Sequence, residues 1–424
     1  MTTIFKGYKL EEILLILFPL LLLSGHFFTD LSIIIIDIIF LIKIFKNKIH
    51  LNINKNLIYF FFFFFLIINI TVFFSSDFSY YFFQTIPFVR FLIFPFALAY
   101  FLNKKIARKN KNIVLCIFLI LFIDSCFQII LGKSLSGFEL INNRSSSLFA
   151  DEQILGSYTI RVLSFLIPML IISEQKFNNF FFIILSLSIL LVIMSKERVS
   201  IFFLIIYLVN IFFLINKLKE TENKYFKLIF FSIFILTTLY FVDGHNIKNR
   251  FNQTVNELSG KDTYFSNDNI LGKENKIFGK YYIFSSTHHN YLLTSYNIFK
   301  NNLLFGTGVK SYRIECKNIK NKINNNSCST HPHNTYMQLL SEIGIFGTLP
   351  IVFLFIYVIS YYFRIFFSAK TDSNKFKNIF FTLPVIISLF PIIPSGNFFN
   401  NYLASYYSFS LGIFIYYLIN RKRN

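Results

Sequence analysis

The sequence lacks the signatures of several enzyme classes. It contains no glycine-rich nucleotide loop, no zinc-ligand motif of high specificity and no serine-centred nucleophile elbow. Carboxylates within its apolar segments are scarce, and Asp30, Asp37 and Asp124 do not form the line of carboxylates that a proton- or ion-coupled transporter needs. We therefore expect neither a cofactor nor a metal, and the sequence gives little support to ion-coupled transport.

Tryptophan is absent and charged residues make up only 15% of the chain, whereas hydrophobic residues make up 54% and phenylalanine occupies 61 of 424 positions. Many apolar runs approach or reach the ~20 residues that cross a bilayer core. Examples are 13–23, 57–74, 113–131, 180–194, 199–215, 228–242, 345–363 and 402–419. These runs predict an all-α polytopic membrane protein with about twelve transmembrane helices.

The formal net charge of +20 would suggest a nucleic-acid partner in a soluble protein. Here the positive residues are concentrated in alternate loops. Lysine and arginine cluster in 43–56, 103–111, 216–227, 364–377 and the tail 421–423, whereas the short loops 24–30, 75–80 and 394–401 contain none. Because positively charged loops stay in the cytoplasm, both termini are predicted to be cytoplasmic, and no nucleic-acid partner is expected.

The predicted helices divide the chain into three regions. Residues 1–242 hold helices 1–9, residues 243–336 form one large segment outside the cytoplasm, and residues 337–424 hold helices 10–12 and a cytoplasmic tail. The ninth helix is predicted over 228–242 and the eleventh over 378–393. One membrane domain with a single large external insertion is therefore expected.

The large external segment contains local structure of its own. Apolar residues at helical spacing predict a surface-lying helix over 289–300, and the glycines of Leu304–Gly308 predict a turn. Cys316 and Cys328 also lie in this segment, where a disulfide is allowed outside the cytoplasm. We expect this bridge to form, with two free thiols as the alternative.

The stretch Ser329–Pro350 places polar residues at the point where the long polar segment meets an apolar run. A polar cluster at the mouth of a membrane helix is costly to keep there and is a candidate functional site. His331 and His333 titrate near neutral pH and can act as general bases. Asn334 can orient a ring or a substrate hydroxyl.

Two other interpretations of the histidine pair stand beside catalysis. The pair can be hydrogen-bonded loop residues without a chemical role. It can also form a metal site together with His288 and His289, but a His-X-His spacing is a loose signal. Of these three interpretations, the metal site is the least favoured.

A second set of candidates consists of arginines that are embedded in the membrane or external: Arg90, Arg144, Arg161, Arg198, Arg250 and Arg313. Charge within an apolar helix is costly, so Arg90 and Arg161 should face a polar cavity or pair with carboxylates. The candidate partners are Asp124, Asp151, Glu152 and Glu197. A guanidinium binds phosphate in a bidentate fork. A structural role is favoured for Arg313 and Arg90, and phosphate binding for Arg198 and Arg250.

Four motifs of the chain occur in the same order as the motifs of one known protein superfamily. His331–Gly347, in which ten residues separate His333 from Gly344, resembles the C-terminal motif of the O-antigen ligase and polymerase superfamily. Arg144–Gly156, Ser195–Arg198 and Leu304–Gly308 resemble three upstream elements of the same family. The resemblance extends from about residue 80 to residue 420.

The resemblance implies a GT-C-like membrane glycosyltransferase in the bacterial inner membrane, with a periplasmic active site. Such enzymes transfer a glycan with inversion from undecaprenyl pyrophosphate to an acceptor sugar, without metal or nucleotide. It implies that His333 is the base and that Arg198 and Arg250 hold the pyrophosphate, whose departure carries the developing charge. The implied second-tier residues are His331, Asn334, Arg144, Glu152 and Arg161.

Five functional hypotheses remain open within and beyond the resemblance. A ligase uses the lipid A core as its acceptor, whereas a polymerase uses a second carrier-linked repeat. Phe202 stands where the family's ligases often have leucine, which slightly weakens the ligase interpretation against its relatives, and a protein O-glycosylating relative also fits. A lipid-linked glycan transporter would depend on Arg90, Asp124 and Arg161 instead of His333. A non-catalytic assembly scaffold would tolerate loss of either set.

Overall fold

The computed structural model describes residues 7–46, 55–141, 143–174, 179–217, 252, 255–256, 285–369 and 373–421. Within these residues the fold is helical, and β pairing is limited to two isolated bridges near residues 133–144. Numbered in chain order, the helices are α1 Leu10–Leu23, α2 His26–Phe45, α3 Lys55–Ile70, α4 Phe78–Thr85, α5 Val89–Phe101, α6 Lys104–Leu131, α7 Leu155–Ile172, α8 Asn179–Ser195, α9 Arg198–Lys217, α10 Ser286–Asn301, α11 Tyr312–Glu315, α12 Thr335–Ser368, α13 Ser373–Lys377, α14 Leu383–Ser388 and α15 Asn401–Asn420.

Seven helical stretches among the described residues are long and apolar enough to cross a membrane. They are Lys55–Phe74, Phe78–Phe101, Lys104–Leu131, Leu155–Ile172, Arg198–Asn216, Thr335–Ser368 and Asn401–Asn420, and Phe180–Ser195 is a shorter apolar helix. The prediction of an all-α polytopic membrane protein is confirmed. The predicted ninth helix over 228–242 lies outside the described residues, as does Arg250.

The basic stretch 103–111, which was expected to be a loop, belongs almost wholly to α6. Asn103 caps this helix, because its Oδ1 accepts hydrogen bonds from the backbone N–H groups of Lys105 at 2.9 Å and Ile106 at 3.0 Å. An N-cap asparagine satisfies donors that have no partner within the helix. The cap therefore starts α6 a full two turns before its apolar run.

The predicted eleventh helix over 378–393 is not continuous. The chain forms a short 3₁₀ turn over Asn378–Phe381 and the short helix α14, and it leaves helical geometry at Leu389. Pro391 and Pro394 follow at once, and a proline disfavours helical geometry in the residue before it. The resulting irregular stretch, 389–397, supplies backbone groups that hold the start of α12.

The core is built from aromatic rings between closely packed helices. Phe18 of α1 stacks on Phe409 of α15 with ring centroids 4.5 Å apart, and Phe165 of α7 lies 4.6 Å from the same ring. A Cβ at Gly412 would meet the Leu98 side chain at 2.5 Å, so α15 and α5 approach closely there. Small residues permit such close contacts between membrane helices.

Arg90 is paired with a partner that the sequence did not suggest. Its Nε and Nη2 donate to the two carboxylate oxygens of Asp30 at 2.9 and 2.8 Å. Asp30 also accepts from Asn401 Nδ2 at 2.8 Å. The side chains of Arg90 and Asp30 are only 15% and 19% exposed, so this bidentate pair joins α2, α5 and α15 at a largely buried position. Pairing of Arg90 with Asp124, Asp151, Glu152 or Glu197 was therefore wrong.

Candidate functional site

The helix α12 is broken at Gly344, which ten residues separate from His333. Gly344 has φ 64° and ψ −168°, so two helical pieces meet at this residue. A Cβ at this position would overlap the backbone of Leu304 and Phe305, and a Cβ at Gly306 would overlap the backbone of Glu342. Glycine is required at both positions because another stretch of backbone passes in direct contact.

The backbone groups that the break frees are paired with the turn Leu303–Gly308. The hydrogen bonds are Thr307 N to Ser341 O at 3.2 Å, Gly308 N to Glu342 O at 2.8 Å, Ile345 N to Leu303 O at 2.9 Å and Phe346 N to Leu304 O at 3.2 Å. We call this arrangement the glycine interlock. Buried backbone groups need partners, so the interlock makes the break in α12 stable.

The Glu342 carboxylate extends the interlock to the next part of the chain. It accepts hydrogen bonds from the backbone N–H of Lys310 at 2.9 Å and of Tyr312 at 3.2 Å, and from Gln338 Nε2 at 3.0 Å. Glu342 is fully buried. A buried carboxylate is stabilised by several donors of this kind, and it fixes the start of α11 against α12.

A disulfide holds the far side of this segment. Cys316 and Cys328 are bonded, with their Cα atoms 5.2 Å apart. The Tyr312 hydroxyl lies 3.3 Å from the carbonyl oxygens of both Tyr291 and Ser327, so it ties α10 to the same loop. The chain leading to the two histidines is therefore anchored on both sides.

His333 occupies a constrained backbone position immediately before α12. Its φ is 54°, a left-handed value that is uncommon for a residue with a side chain. Its carbonyl oxygen accepts from Ser395 N at 2.9 Å. The next residue, Asn334, caps α12 by accepting from Tyr336 N and Met337 N, both at 3.1 Å.

The remaining end of the Asn334 side chain is also occupied. Its Nδ2 donates to Pro391 O at 2.9 Å, and the adjacent Thr335 hydroxyl lies 2.8 Å from that of Ser395. The irregular stretch 389–397 thus holds the residues that follow His333. Asn334 stabilises the helix start, and this arrangement accounts for both functional groups of its amide.

Four rings form a compact group around His333, which we call the histidine cluster. The centroid of His333 lies 4.1 Å from His331, 5.3 Å from His288 and 5.4 Å from Tyr291, whose ring is nearly parallel to it. His288 and Tyr291 come from α10, so docking of α10 on α12 completes the cluster. The Nε2 atom of His331 is buried and has no hydrogen-bond partner among the described residues.

The histidine cluster is held in its neutral form. Burial, together with the neighbouring His331 and His288, lowers the pKa of His333 to about 3. Burial and the charges of Arg313 and His288 lower the pKa of His331 to about 4, although the backbone of Ser395 acts in the opposite direction. Both rings are neutral at neutral pH, and a neutral imidazole can accept a proton.

The turn between α8 and α9 brings positive charge to this cluster. Arg198 begins α9, and after burial its charge is the second cause that lowers the pKa of His288. The turn itself is held by Arg144, whose Nε donates to Ser195 O at 3.0 Å. Glu197 accepts from Gly156 N at 2.8 Å, which ties the turn to the start of α7.

Residues 182–352 match the family model described as O-antigen ligase. This match supports a place for the chain in the O-antigen ligase superfamily. No significant match was found among curated proteins. The O-antigen ligase match runs from α8 to the first turns after Gly344, and it therefore includes Arg198, the histidine cluster and the glycine interlock.

The other predicted site residues take different positions around the O-antigen ligase region. Arg161 is 9% exposed, it bonds the carbonyl oxygen and hydroxyl of Ser157, and its Nε is buried without a partner among the described residues. Glu152 is exposed. Arg250 lies outside the described residues. Among the residues that are described, no group of three or more His, Cys, Asp or Glu side chains could hold a metal ion.

Sequence reasoning missed the contribution of three residues around the histidine cluster. Tyr291 was part of the predicted amphipathic helix, but its contact with His333 depends on how α10 docks. Glu342 was noted as a carboxylate in the motif, without a role. Arg313 was judged structural, yet its Nε is buried without a partner and its charge reaches His331.

Proposed function

We propose that this protein is a membrane glycosyltransferase of the O-antigen ligase type, which moves a glycan from undecaprenyl pyrophosphate to an acceptor sugar of the lipid A core on the periplasmic face. The observation that carries the proposal is the histidine cluster. A neutral, partly buried imidazole stands on a backbone that the glycine interlock holds, with an arginine turn close by. The family supports an enzyme that acts on lipid-linked glycans.

In the proposed reaction, His333 accepts the proton of the acceptor hydroxyl as its oxygen attacks the anomeric carbon of the donor sugar. The new bond joins the acceptor oxygen to that carbon, and the bond from the carbon to the pyrophosphate oxygen breaks with inversion. Arg198 and Arg250 hold the pyrophosphate as it gains negative charge. The proton on His333 then passes to the departing pyrophosphate or to water.

The low pKa of His333 is consistent with a site that binds an anionic donor. Desolvation and two neighbouring imidazoles disfavour a positive charge on this ring while the site is empty. A bound pyrophosphate supplies negative charge near the ring, and a nearby negative charge raises the pKa of a histidine. Binding of the donor would therefore make His333 a stronger base at the moment when a base is needed.

The supporting residues divide into those that hold the turn and those that hold the histidines. Arg144 acts by positioning the Ser195–Arg198 turn, and Asn334 by capping α12. His331 borders the ring of the base directly. Arg161 lies in α7 and Glu152 just before it, and in this proposal both face the donor glycan.

Two observations weigh against the transporter hypothesis. Arg90 is engaged in a bidentate pair with Asp30. Asp124 accepts from the Ser147 hydroxyl at 2.5 Å and from Leu135 N at 2.6 Å, so it fastens the loop after α6. Both residues therefore have structural partners. A polymerase that joins carrier-linked repeats is the second candidate, because the family match covers ligases and polymerases alike.

The test is complementation of a host that lacks this gene. Wild type, His333→Ala and the control His26→Ala, which alters an exposed histidine at the start of α2, are compared at matched amounts of inserted protein. If His333→Ala leaves long glycan on the undecaprenyl carrier, the ligase proposal stands. If single repeats still reach lipid A but chains do not grow, the protein is the polymerase. If the variant behaves like wild type, the catalytic assignment is wrong.

A further inference from the structure

Arg313 and His331 carry polar atoms that the mechanism above does not use. Arg313 Nε and His331 Nε2 are both buried, and neither has a hydrogen-bond partner among the described residues. No carboxylate of the described chain lies within ion-pair distance of Arg313. Buried polar atoms are normally satisfied, so each of these two atoms has the capacity to bond to a ligand.

The fold brings these two side chains together in a defined way. Arg313 lies in α11, three residues before Cys316, and His331 lies three residues after Cys328, so the disulfide joins the two short stretches. The charge of Arg313 is close enough to lower the pKa of His331. The anchored start of α11, which Glu342 holds through the N–H of Tyr312, leaves Arg313 little freedom to move away.

Positive charge accumulates on this side of the site. Lys310 lies one turn before Arg313, and its Nζ donates to Gln84 Oε1 at 3.1 Å. Burial and the charge of Arg313 both lower the pKa of Lys310, whereas the charge of Glu342 raises it. Glu342 is the nearby buried carboxylate, but it is already bonded by three donors. An anion from outside the chain would relieve this imbalance.

The two arginines act on different neighbours of His333. Arg198 influences His288, whereas Arg313 influences His331. His288 and His331 are both in ring contact with His333. The base therefore lies between two cationic positions, of which the proposed function uses only the Arg198 position, for the donor pyrophosphate.

We propose that Arg313 and His331 bind an anionic group, a phosphate or a carboxylate, on the acceptor glycolipid. The inference rests on the proposed function, because it assigns the second cationic position to the second substrate. Arg313 is a specificity-determining residue in this scheme, and His331 Nε2 contributes a hydrogen bond to the same group. The acceptor is consequently a charged sugar, which the site distinguishes from a neutral one.

The experiment uses the full-length protein in lipid nanodiscs with a carrier-linked glycan donor. Three acceptor glycolipids are compared, carrying a phosphate, a carboxylate or no charge near the accepting hydroxyl. The variants are Arg313→Gln, Arg313→Lys and the control Lys317→Gln, which removes an exposed positive charge from the same segment. Thermal unfolding confirms that each variant is folded.

We expect Arg313→Gln to raise KM for the charged acceptors about tenfold or more, with KM for the donor and turnover of the neutral acceptor nearly unchanged. Arg313→Lys should restore part of the loss and Lys317→Gln should behave like wild type. An equal loss with charged and neutral acceptors, or no change in KM, would overturn the inference.

A binding measurement separates this inference from the proposed function. The phosphate-bearing acceptor is titrated into the protein without donor. If wild type transfers no glycan but binds this acceptor in a manner that requires Arg313, the proposed function fails and the anion site stands. If binding is the same in wild type and Arg313→Gln, the anion site is wrong whatever the activity.

Discussion

The two ends of the stretch from His333 to Gly344 differ in how completely their polar groups are satisfied. At Gly344 the backbone groups that the helix break releases are paired with the turn Leu303–Gly308. At His333 the backbone is in a left-handed conformation, and the neighbouring ring of His331 has a buried nitrogen without a partner. The polar groups at the Gly344 end are therefore satisfied within the chain, whereas those at the His333 end are not all satisfied.

This difference gives a structural reason for the spacing between His333 and Gly344 in this chain. Strained or unsatisfied groups persist only where the surrounding structure holds them in place. The glycine interlock provides that support, since it fixes the first two turns of α12, and the Asn334 cap transmits the position to His333. The glycine end therefore stabilises the start of α12, and the histidine end carries the ring that we propose as the base.

The largest effect on stability is expected when a side chain at Gly344 prevents the close contact with the turn Leu303–Gly308. Gly344→Ala places a Cβ against the backbone of Leu304 and Phe305, neither of which can move like a side chain. We expect a loss of roughly 3 kcal/mol or more in the free energy of unfolding, measured by thermal or denaturant unfolding in detergent.

Gly132→Ala is the matched control for this substitution. Gly132 has φ 76°, but nothing lies within 4 Å of its Cβ position. We expect the free energy of unfolding of Gly132→Ala to fall only by the cost of placing alanine in the left-handed conformation, about 1 kcal/mol. Equal losses in the two variants would show that the interlock has no special importance.

Removing the disulfide should loosen the histidine end while the interlock stays intact. Cys316 and Cys328 are separated by 12 positions, and closing a loop of this size stabilises a protein by roughly 3 kcal/mol in the chain-entropy model. We expect Cys316→Ser and Cys328→Ser to cost similar amounts, with lower transfer activity, whereas Cys116→Ser, at an exposed free thiol, should change neither. A stable and fully active double serine variant would contradict this assignment.

Acid should destabilise the histidine end specifically. The pKa values of His331 and His333 in the folded protein, about 4 and about 3, lie below the ordinary value of 6.5. The unfolded chain therefore binds more protons between these values, so the stabilisation is complete above pH 6.5 and is lost as the pH falls toward 4. The loss by pH 4.5 is about 2 kcal/mol per ring.

The unfolding temperature measured between pH 4.5 and pH 7.5 tests this expectation. The double variant His331→Gln and His333→Gln should show a flatter dependence on pH than wild type. An unchanged slope would mean that carboxylates elsewhere in the chain control the response to acid. The expected slope has the sign of a buried neutral histidine that must gain charge when the protein unfolds.

The smallest effect is expected at Asn334, which joins the two ends. Asn334→Ala removes an N-cap and should cost about 1 kcal/mol, similar to Asn103→Ala at the start of α6, where the same cap geometry occurs. Asn334→Asp keeps the acceptor and should retain most of the transfer activity. Loss of activity in Asn334→Asp at wild-type stability would instead assign this amide a direct role with the substrate.

Local physics made much of the fold predictable from the sequence. Apolar runs of membrane-spanning length gave most of the helices that the structure describes, because burial in lipid imposes both length and composition. The amphipathic helix over 289–300 and the turn at Leu304–Gly308 followed from spacing and glycine content, and both occur. The prediction of one continuous helix over 378–393 was wrong, because Pro391 and Pro394 follow the point where helical geometry ends.

Contacts between residues far apart in the chain could not be predicted from the sequence. Arg90 and Asp30 are 60 positions apart, and no local pattern joins them. The motif marked His333, but Tyr291 and His288 reach it only through the docking of α10. Arg313 was read as structural because an isolated arginine usually is, and its orphaned Nε appears only when the surrounding chain is in place.

The break at Gly344 has a consequence for how the chain is made. The residues after Gly344 can enter a membrane as an ordinary apolar helix, with all their later backbone bonds within the segment. The residues from Thr335 to Ile343 cannot reach their final state in the same way, because Glu342 and the released backbone groups have partners only in the turn Leu303–Gly308 and the start of α11. Assembly of this helix is therefore complete only after the turn Leu303–Gly308 and the start of α11 have folded against it.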